Sequence, residues 1–440
     1  MISAIALLVL RSQVDSRLKN DYRADKEGWV YVHLEGEPQD VGYGYGTLLS
    51  SEIDDAQKAL HLSLKRETGK DWPYYRETAK KLFWNHVPKE YQDELSGQAE
   101  GLQGKGLKYD TWDVLAFNSY IELSQYYLPW LAHHPSNKES CSAFIATGAQ
   151  TKDGQIVMGH ELWWDYLMGQ RFNAVLDITP TRGNRVVMDA LCGFIHSGSD
   201  FALNSQGMVL CETTISGFSG FDPNGVPEFV RMRQSIQYAN NLDDFAKLMK
   251  DGNNGGYANT WLVGDTKTNE IGKLELGLKN VTFDRKKDGA YVGSNFPESP
   301  KLIAEEVPGG WNPDPSTNGC EQRRVRFTHL LDQNLGTIDE VKAEQFLADT
   351  FNEVSGKDEI GGATLCGSFL PDPGGAVNAK VVTAASARKM QFWGRMGIPN
   401  GSVFDAKKHF EQFPSDRPLD PLLRSIPKRE WTQFPVDKKN

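Results

Sequence analysis

The amino-acid sequence predicts a layered α+β fold in which antiparallel sheets are covered by helices on their outer faces. Between Cys141 and about Pro297, short strand-like runs follow one another with turn residues between them. Gln206-Gly207 and Asp288-Gly289 are turn signals that favour hairpins over parallel crossover units. A helical stretch at 242–250 interrupts these runs, as expected where layers of sheet and helix alternate.

The first part of the chain, residues 28–140, is predicted to be mainly helical. It opens with a strand-like run at 29–34, and a glycine-rich stretch at 42–46 leads to the helix start signal Ser50-Ser51-Glu52. We expect helices at about 52–65, 74–85 and 109–131, the last of them rich in aromatic residues. This segment should pack on the sheets that follow it.

Residues 141–440 are predicted to form one composite unit. Its later part includes a helix opened by Arg323-Arg324-Val325-Arg326, which we interpret as a solvated or ion-paired face. Beyond Ala387 the chain is rich in proline and is expected to be coil that wraps the core. The strand-like runs lie at 172–178, 185–190, 207–215, 260–264 and 270–278, and a second helical stretch lies at 228–238.

Composition and charge narrow the class of protein. With 440 residues, 39% of them hydrophobic, the chain can bury a large core. The formal net charge of −10 and the lack of a basic tract argue against nucleic acid as a partner. Residues 1–27, with a short apolar run at 2–10, are interpreted as a partial signal or leader segment, for which disorder is one expectation. This predicts a secreted, periplasmic or lysosome-like location.

The five cysteines are widely spaced and include no C-x-x-C pair, so a zinc site is not supported. If Cys141 is free, the other four can form two disulfides, with Cys192 and Cys211 as the first candidate pair. The alternative is that all five cysteines are reduced. No metal and no cofactor are predicted.

Cys141 lies at the boundary between the helical segment and the strands, a position that suggests a catalytic role. The Asp-Gly turn within 151–154 predicts a hairpin that returns residues 163–165 to the neighbourhood of Cys141. In that register His160 falls on the same face as Cys141. From these residues alone, Cys141 is either a nucleophile or a buried structural thiol.

Six motifs in order resemble the phospholipase B-like family. The similarity runs, with gaps, from about residue 28 to residue 414, and the chain also resembles the autoproteolytic penicillin acyltransferase group. At Trp164-Asp165 and at Ala258 it departs from the polar residues that the family is expected to carry. The motifs are 141–143, 159–163, 197–201, 207–215, 257–261 and 374–383.

The resemblance places the chain among the N-terminal nucleophile hydrolases and implies a four-layer αββα sandwich. It further implies cleavage between Ser140 and Cys141, with the new α-amine of Cys141 as base for its own thiol. An amine with a pKa of about 7.7 to 8.0 suits that role beside a thiol of about 8.5. The two fragments are expected to stay associated.

Further site residues follow mainly from the resemblance. Asn259 is the candidate oxyanion donor, because a side-chain amide can stabilise the developing charge. His160 would orient the amine or the substrate, with a structural histidine as the alternative. Trp163, Asp165 and Glu212 are candidate substrate-binding residues, although the two acids and Arg171 would equally serve as paired structural charges.

These observations predict a hydrolase that cleaves amide or ester bonds of small acyl or lipid substrates. One alternative is an acyltransferase of the penicillin acyltransferase type. Another is a catalytically silent lipid- or glycan-binding member, supported by the aromatic residues of 109–131. A third is a papain-like enzyme with His196 as base, which lacks the helix N-terminus that usually holds such a cysteine.

Overall fold

The computed structural model describes residues 15–135, 141–369 and 371–436. Ser140 and the apolar run at 2–10 therefore lie outside the described residues. The strands are β1 (Tyr22–Lys26), β2 (Trp29–Gly36), β3 (Cys141–Thr147), β4 (Val157–Asp165), β5 (Ala174–Pro180), β6 (Val186–Ala190), β7 (Phe201–Asn204), β8 (Met208–Thr214), β9 (Asn259–Asp265), β10 (Glu270–Leu276), β11 (Val281–Lys286), β12 (Gly289–Gly293), β13 (Phe351–Asn352), β14 (Lys357–Asp358), β15 (Gly374–Thr383), β16 (Phe392–Met396) and β17 (Thr432–Phe434).

The helices alternate with these strands along the chain. They are α1 (Pro38–Leu48), α2 (Ser50–Thr68), α3 (Trp72–Phe83), α4 (Lys89–Gly104), α5 (Thr111–Asn118), α6 (Tyr120–Glu122), α7 (Leu128–Leu131), α8 (Tyr166–Gly169), α9 (Glu228–Tyr238), α10 (Leu242–Lys250), α11 (Pro300–Glu306), α12 (Gly319–Gln333), α13 (Glu340–Leu347), α14 (Ala384–Ala387) and α15 (Ala406–Gln412). A π-helical turn, Leu123–Tyr127, separates α6 from α7, and the short 3-10 turns are Ser16–Leu18, Trp84–His86, Gly148–Gln150 and Pro414–Leu419.

Two sheets form the centre of the molecule. Within the described residues, a nine-stranded sheet has the order β1-β2-β5-β6-β7-β8-β9-β10-β11, and a six-stranded sheet has the order β12-β3-β4-β15-β16-β17. Neighbouring strands are antiparallel except β2 and β5, which pair in parallel. The expectation of purely antiparallel sheets is therefore wrong at this one pair. β2 belongs to the N-terminal segment, and it lies beside β5, a strand that follows much later in the chain.

Apolar side chains fill the space between the two sheets and cover both outer faces. Ile145 and Met158 of the six-stranded sheet meet Val187 and Leu262 of the nine-stranded sheet in one core cluster. The other face of the nine-stranded sheet packs against the N-terminal helices with α9 and α10. The other face of the six-stranded sheet packs against α12 and α13. The predicted four-layer αββα sandwich is therefore confirmed.

The N-terminal segment differs from its prediction in two ways. Tyr22–Lys26 forms the edge strand of the nine-stranded sheet, so the expectation of disorder up to residue 27 is wrong for these residues. The glycine-rich stretch at 42–46 is helical in α1. A Cβ atom on Gly42 would lie only 1.9 Å from the Glu94 carbonyl oxygen, and one on Gly97 only 2.0 Å from that of Gln39. The glycines let α1 and α4 approach backbone to backbone, which offsets their poor helix propensity.

Two further expectations about secondary structure are wrong. The single helix expected at 109–131 is broken into α5, α6, a π-helical turn and α7. The C-terminal coil expected beyond Ala387 contains α15 and two strands, β16 and β17, that complete the six-stranded sheet. The prolines of this segment lie outside these two strands and do not interrupt their hydrogen bonding.

The cysteines of the described chain are all free thiols, and each is buried. Cys211 faces the space between the sheets, whereas Cys192 packs in the cluster on the opposite, helical side of the nine-stranded sheet. Thiols on opposite faces of one sheet cannot reach disulfide geometry. The proposed Cys192–Cys211 pair is therefore wrong, and the all-reduced alternative holds.

Candidate active site

Cys141 is the first residue of β3 and is fully buried. Its Sγ atom lies 3.9 Å from Glu212 Oε1. Burial, and secondarily the negative charge of Glu212, raises the pKa of the Cys141 thiol well above its usual range. In the uninterrupted chain the thiol is therefore protonated, and an attack by its sulfur requires that this proton be removed, since the thiolate is the reactive form.

The hairpin register predicted from the Asp-Gly turn is confirmed. Cys141 pairs with Leu162 and Ala143 pairs with His160, so His160 and Cys141 lie on the same face of the six-stranded sheet. The alternation of side chains along a strand makes this a sensitive test, because a shift of one residue would have turned His160 away.

Side chains from distant segments hold both backbone groups of Cys141. Its N–H donates to Asn295 Oδ1 at 3.3 Å, and its carbonyl oxygen accepts from Arg323 Nη1 at 2.8 Å. Arg323 Nη2 also donates to Asn295 Oδ1 at 3.1 Å. Arg323 is fully buried, so the interpretation of this helix start as a solvated or ion-paired face is wrong at Arg323. Neither Asn295 nor Arg323 was predicted as a site residue.

Glu212 connects the thiol to two further polar side chains. Its Oε1 accepts a hydrogen bond from the Tyr257 hydroxyl at 3.1 Å. Asn259 is oriented so that Nδ2 donates to Glu212 Oε2 and to the Ala258 carbonyl, both at 2.9 Å, an assignment made from these two acceptors. Burial, and secondarily the Asp200 carboxyl, raises the pKa of Glu212. Both amide hydrogens of Asn259 are thus already engaged, so an oxyanion would have to displace one acceptor.

His160 and Trp163 flank the cysteine on opposite faces of β4. The His160 ring stacks on Phe201 with centroids 6.5 Å apart, and neither ring nitrogen has a hydrogen-bond partner among the described residues. Burial and the neighbouring Lys380 lower the pKa of His160, so the ring is neutral. Trp163 Nε1 donates to Glu161 Oε1 at 3.1 Å, and its ring lies 4.7 Å below the Arg323 guanidinium. Trp163 therefore supports the arginine that holds Cys141.

The structure does not bring Asp165 to Cys141. Asp165 caps α8 by accepting from the Met168 N–H at 2.9 Å, and it lines a separate cavity of about 310 Å³. Arg171 forms an ion pair with Asp55 at 2.9 Å. This is the arrangement expected if Arg171 is a paired structural charge. The His196 ring stacks on Phe194 at 4.3 Å, and Cys141 begins a strand, so the papain-like arrangement is not formed.

A buried set of charges lies next to this cluster. Lys380 Nζ is 3.1 Å from Asp189 Oδ2, and both side chains are fully buried. Phe201 pairs with Cys211, so the preceding residue, Asp200, lies beside Glu212. Asp200 has a φ of 56°, and burial together with Asp189 raises its pKa to about 8. Within the described residues, no group of three side chains is suited to hold a metal ion.

The raised pKa of Asp200 predicts how stability depends on pH. An aspartate in an unfolded chain loses its proton near pH 3.9, whereas folded Asp200 keeps it to about pH 8. The folded state therefore binds more protons in this window, and the free energy of unfolding falls as pH rises. Burial lowers the pKa of His61, His160 and His196, so these three rings add an opposite trend until they are neutral in the unfolded chain as well.

Asp200→Asn should flatten that trend. Each proton retained only by the folded state contributes about 1.4 kcal/mol per pH unit, so between pH 6.5 and 8 the wild type should lose stability in urea relative to the Asp200→Asn variant. Asparagine tolerates positive φ and should preserve the backbone. Asp251→Asn, at an exposed aspartate, is the control. An unchanged slope in the Asp200 variant would contradict the assignment of the proton to this carboxyl.

The fold is the one expected of an N-terminal nucleophile hydrolase, and Cys141 is the first residue of β3, which lies next to the edge strand β12 in the six-stranded sheet. A model of the phospholipase B family matches residues 74–347. The chain belongs to the phospholipase B family.

Curated relatives of similar sequence come from archaea and eukaryotes. An uncharacterised protein of Archaeoglobus fulgidus is 28% identical over 293 residues, which cover 63% of this chain and 47% of that protein. Putative phospholipase B-like 2 of Bos taurus is 28% identical over 176 residues, covering 36% of this chain and 30% of that protein. Putative phospholipase B-like 2 of Caenorhabditis elegans is 25% identical, and the match covers 51% of this chain and 39% of that protein. The chain thus spans about half, or less, of the length of these relatives.

Among solved structures, a mutant of conjugated bile acid hydrolase from Clostridium perfringens is 11% identical, with a TM-score of 0.39. The similarity covers 67% of this chain and 97% of that protein. Within the described residues, no helix of this chain is both long enough and apolar enough to cross a membrane.

Proposed function

We propose that this protein is a cysteine N-terminal-nucleophile hydrolase of amide or ester bonds in acyl-bearing substrates, activated by cleavage between Ser140 and Cys141. The observation that carries the proposal is the environment of Cys141. Its thiol contacts Glu212, its N–H is held by Asn295, and its carbonyl is held by Arg323. A new amino terminus formed there would stay beside its own thiol.

The cleavage would proceed by an N-to-S acyl shift. Cys141 Sγ attacks the carbonyl carbon of residue 140, the C–N bond to Cys141 breaks, and the thiol proton ends on the released nitrogen. A water molecule then hydrolyses the thioester. The products are a carboxyl group on residue 140 and a free thiol and α-amine on Cys141.

The new amine would provide a base for the Cys141 thiol, which burial otherwise keeps protonated. Before the cut, burial and Glu212 keep the thiol protonated. After the cut, the α-amine takes the thiol proton, and its positive charge stabilises the thiolate. The thiolate then attacks the acyl carbon, and the α-ammonium gives its proton to the departing nitrogen or oxygen. Glu212 and Asn295 would orient that ammonium group.

Contacts between the two fragments support their staying together after the cut. β2 pairs with β5 from Val30↔Ala174 to Gly36↔Pro180, so a strand of the N-terminal fragment lies inside the larger sheet. The ion pair between Glu94 and Arg233, at 2.9 Å and almost fully buried, also joins the two fragments. Replacing either partner alone would leave an uncompensated buried charge, at a cost of about 3 to 5 kcal/mol.

A secreted, periplasmic or lysosome-like location is part of the proposal. It is supported by the buried carboxyls, since burial raises the pKa of Asp200 to about 8 and that of Glu122 to about 7. Such groups favour the folded state at low pH.

We expect amide-linked acyl substrates to be cleaved at least as well as phospholipids. The thioester mechanism, with a protonated amine beside the leaving group, suits a poor leaving group such as nitrogen. The test compares N-acyl amino acids, a lysophospholipid and a chromogenic short ester, with self-cleaved protein as enzyme and Cys141→Ala as blank. Efficient phospholipid hydrolysis without amide cleavage would contradict the amide preference.

A further inference from the structure

A cavity of about 410 Å³ lies next to the candidate active site. One wall is Ser216 and Gly217, which directly follow the motif that contains Glu212. The opposite wall is the loop that precedes α12. Besides Ser216 and Gly217, the cavity is lined by Trp311, Asn312, Thr317 and Asn318.

One residue connects this cavity to the nucleophile. The Ser216 N–H donates to the Asn295 carbonyl oxygen at 3.1 Å. The side chain of the same asparagine accepts from the Cys141 N–H through Oδ1 at 3.3 Å. It also donates through Nδ2 to the Thr214 carbonyl at 3.0 Å. The Ser216 wall of the cavity and Cys141 therefore share Asn295 as a hydrogen-bond partner, so a group held in the cavity can belong to a substrate bound at the thiol.

The lining is uncharged and combines polar side chains with apolar surface. Ser216 is only 7% exposed, and its hydroxyl has no hydrogen-bond partner among the described residues. A buried hydroxyl without a partner carries a desolvation penalty, which a ligand that hydrogen-bonds to it would relieve. Asn312 donates to Thr317 Oγ1 at 2.9 Å, and Asn318 donates to the Asn312 carbonyl at 2.7 Å, so the rim is preorganised.

Trp311 adds a fixed flat surface to this rim. Its Nε1 donates to Glu321 Oε1 at 2.7 Å, and the Glu321 side chain is itself buried. The indole ring is therefore held in one orientation beside the polar groups. A rigid aromatic face combined with hydroxyl and amide groups suits the C–H face and hydroxyls of a polyol. The acidic Glu321 in the first turn of α12 works against binding of an anionic phosphate at this helix start.

We infer that this cavity binds the leaving group of the substrate, and that this group is an uncharged polyhydroxyl moiety such as an amino alcohol or sugar acylated on nitrogen or oxygen. The inference rests on the proposed function, because it specifies the substrate class of the same site. It assigns Ser216 and Trp311 as specificity-determining residues.

Binding tests the inference without hydrolysis. The uncut Cys141→Ala protein is titrated with N-hexanoyl serinol, with its phosphorylated form and with N-methylhexanamide, and the heat of binding is measured by titration calorimetry. Only the neutral diol should give a saturable change. Trp311→Ala should abolish that change, whereas Trp72→Ala should keep it. Trp72 is the matched control because its indole is also half-buried and donates to a carboxylate, Asp113, at 2.8 Å.

Kinetics on the cleaved protein provide the second readout. Ser216→Ala should lower kcat/KM for N-hexanoyl serinol about tenfold, the effect of one lost hydrogen bond, and leave N-methylhexanamide unchanged. Ser235→Ala removes another buried, unpartnered hydroxyl and should change neither value. An equal loss for both amides in the Ser216 variant would overturn the inference, as would tighter binding of the phosphorylated form or no saturable binding. Cleavage of neither amide would count against the proposed function, while the titration still decides the inference.

Discussion

Cys141→Ala should yield a single uncut chain without hydrolase activity, whereas the wild type should separate under denaturing conditions into fragments 1–140 and 141–440. Both effects have one cause, because the same Sγ atom would perform the cut and the catalysis. N-terminal sequencing of the larger fragment should begin at Cys141. The measurement combines intact mass, sequencing and the rate of amide hydrolysis.

Cys192→Ala is the matched control for this prediction, since it also removes a buried free thiol. It should leave the cut and most of the activity in place. Circular dichroism of the Cys141 variant establishes that the uncut chain is folded. Active wild-type protein that consists of one uninterrupted chain would refute the maturation scheme.

Asn259→Ala should lower turnover about 10²- to 10³-fold, the usual loss for one oxyanion donor. The measurement is kcat of fully cleaved protein, with urea unfolding to establish that the fold is retained. A loss below about fivefold at normal stability would mean that the oxyanion is stabilised elsewhere.

The contact between Asn259 and Glu212 calls for a double-mutant cycle, because the amide can act directly or by orienting the carboxyl. In a Glu212→Gln background, a direct oxyanion donor should still lower turnover by a similar factor. If the effect of Asn259→Ala disappears in that background, Asn259 is a positioning residue for Glu212.

Local signals allowed much of the fold to be predicted. The strands around the Asp-Gly turn and the helix at 242–250 follow from short-range periodicity, and the structure has them within a few residues. The helical character of 42–46 was missed because it depends on the approach of α4, which single-helix propensity does not encode. The C-terminal strands were missed because their stability comes from pairing with a sheet formed by earlier residues.

The same division between local and long-range information applies to the site. The register of His160 with Cys141 is local to one hairpin and was predicted correctly. Asn295 and Arg323 reach Cys141 from segments more than 150 residues away, and no spacing in the sequence indicates such contacts. Asp165 was placed at the site by its closeness in sequence to Trp163. It lies beyond the part of β4 that pairs with β3, where it pairs with Gly374 of β15 and caps a helix.

The parallel strand β2 has a consequence for the lifetime of the protein. While the chain is continuous, pairing of β2 with β5 is intramolecular, and folding is a unimolecular event. After the proposed cut, the same sheet would join two separate molecules, so reassembly from the unfolded state would depend on concentration. The mature protein would then fold once, as a precursor, and its persistence would be set by the rate at which the fragments separate.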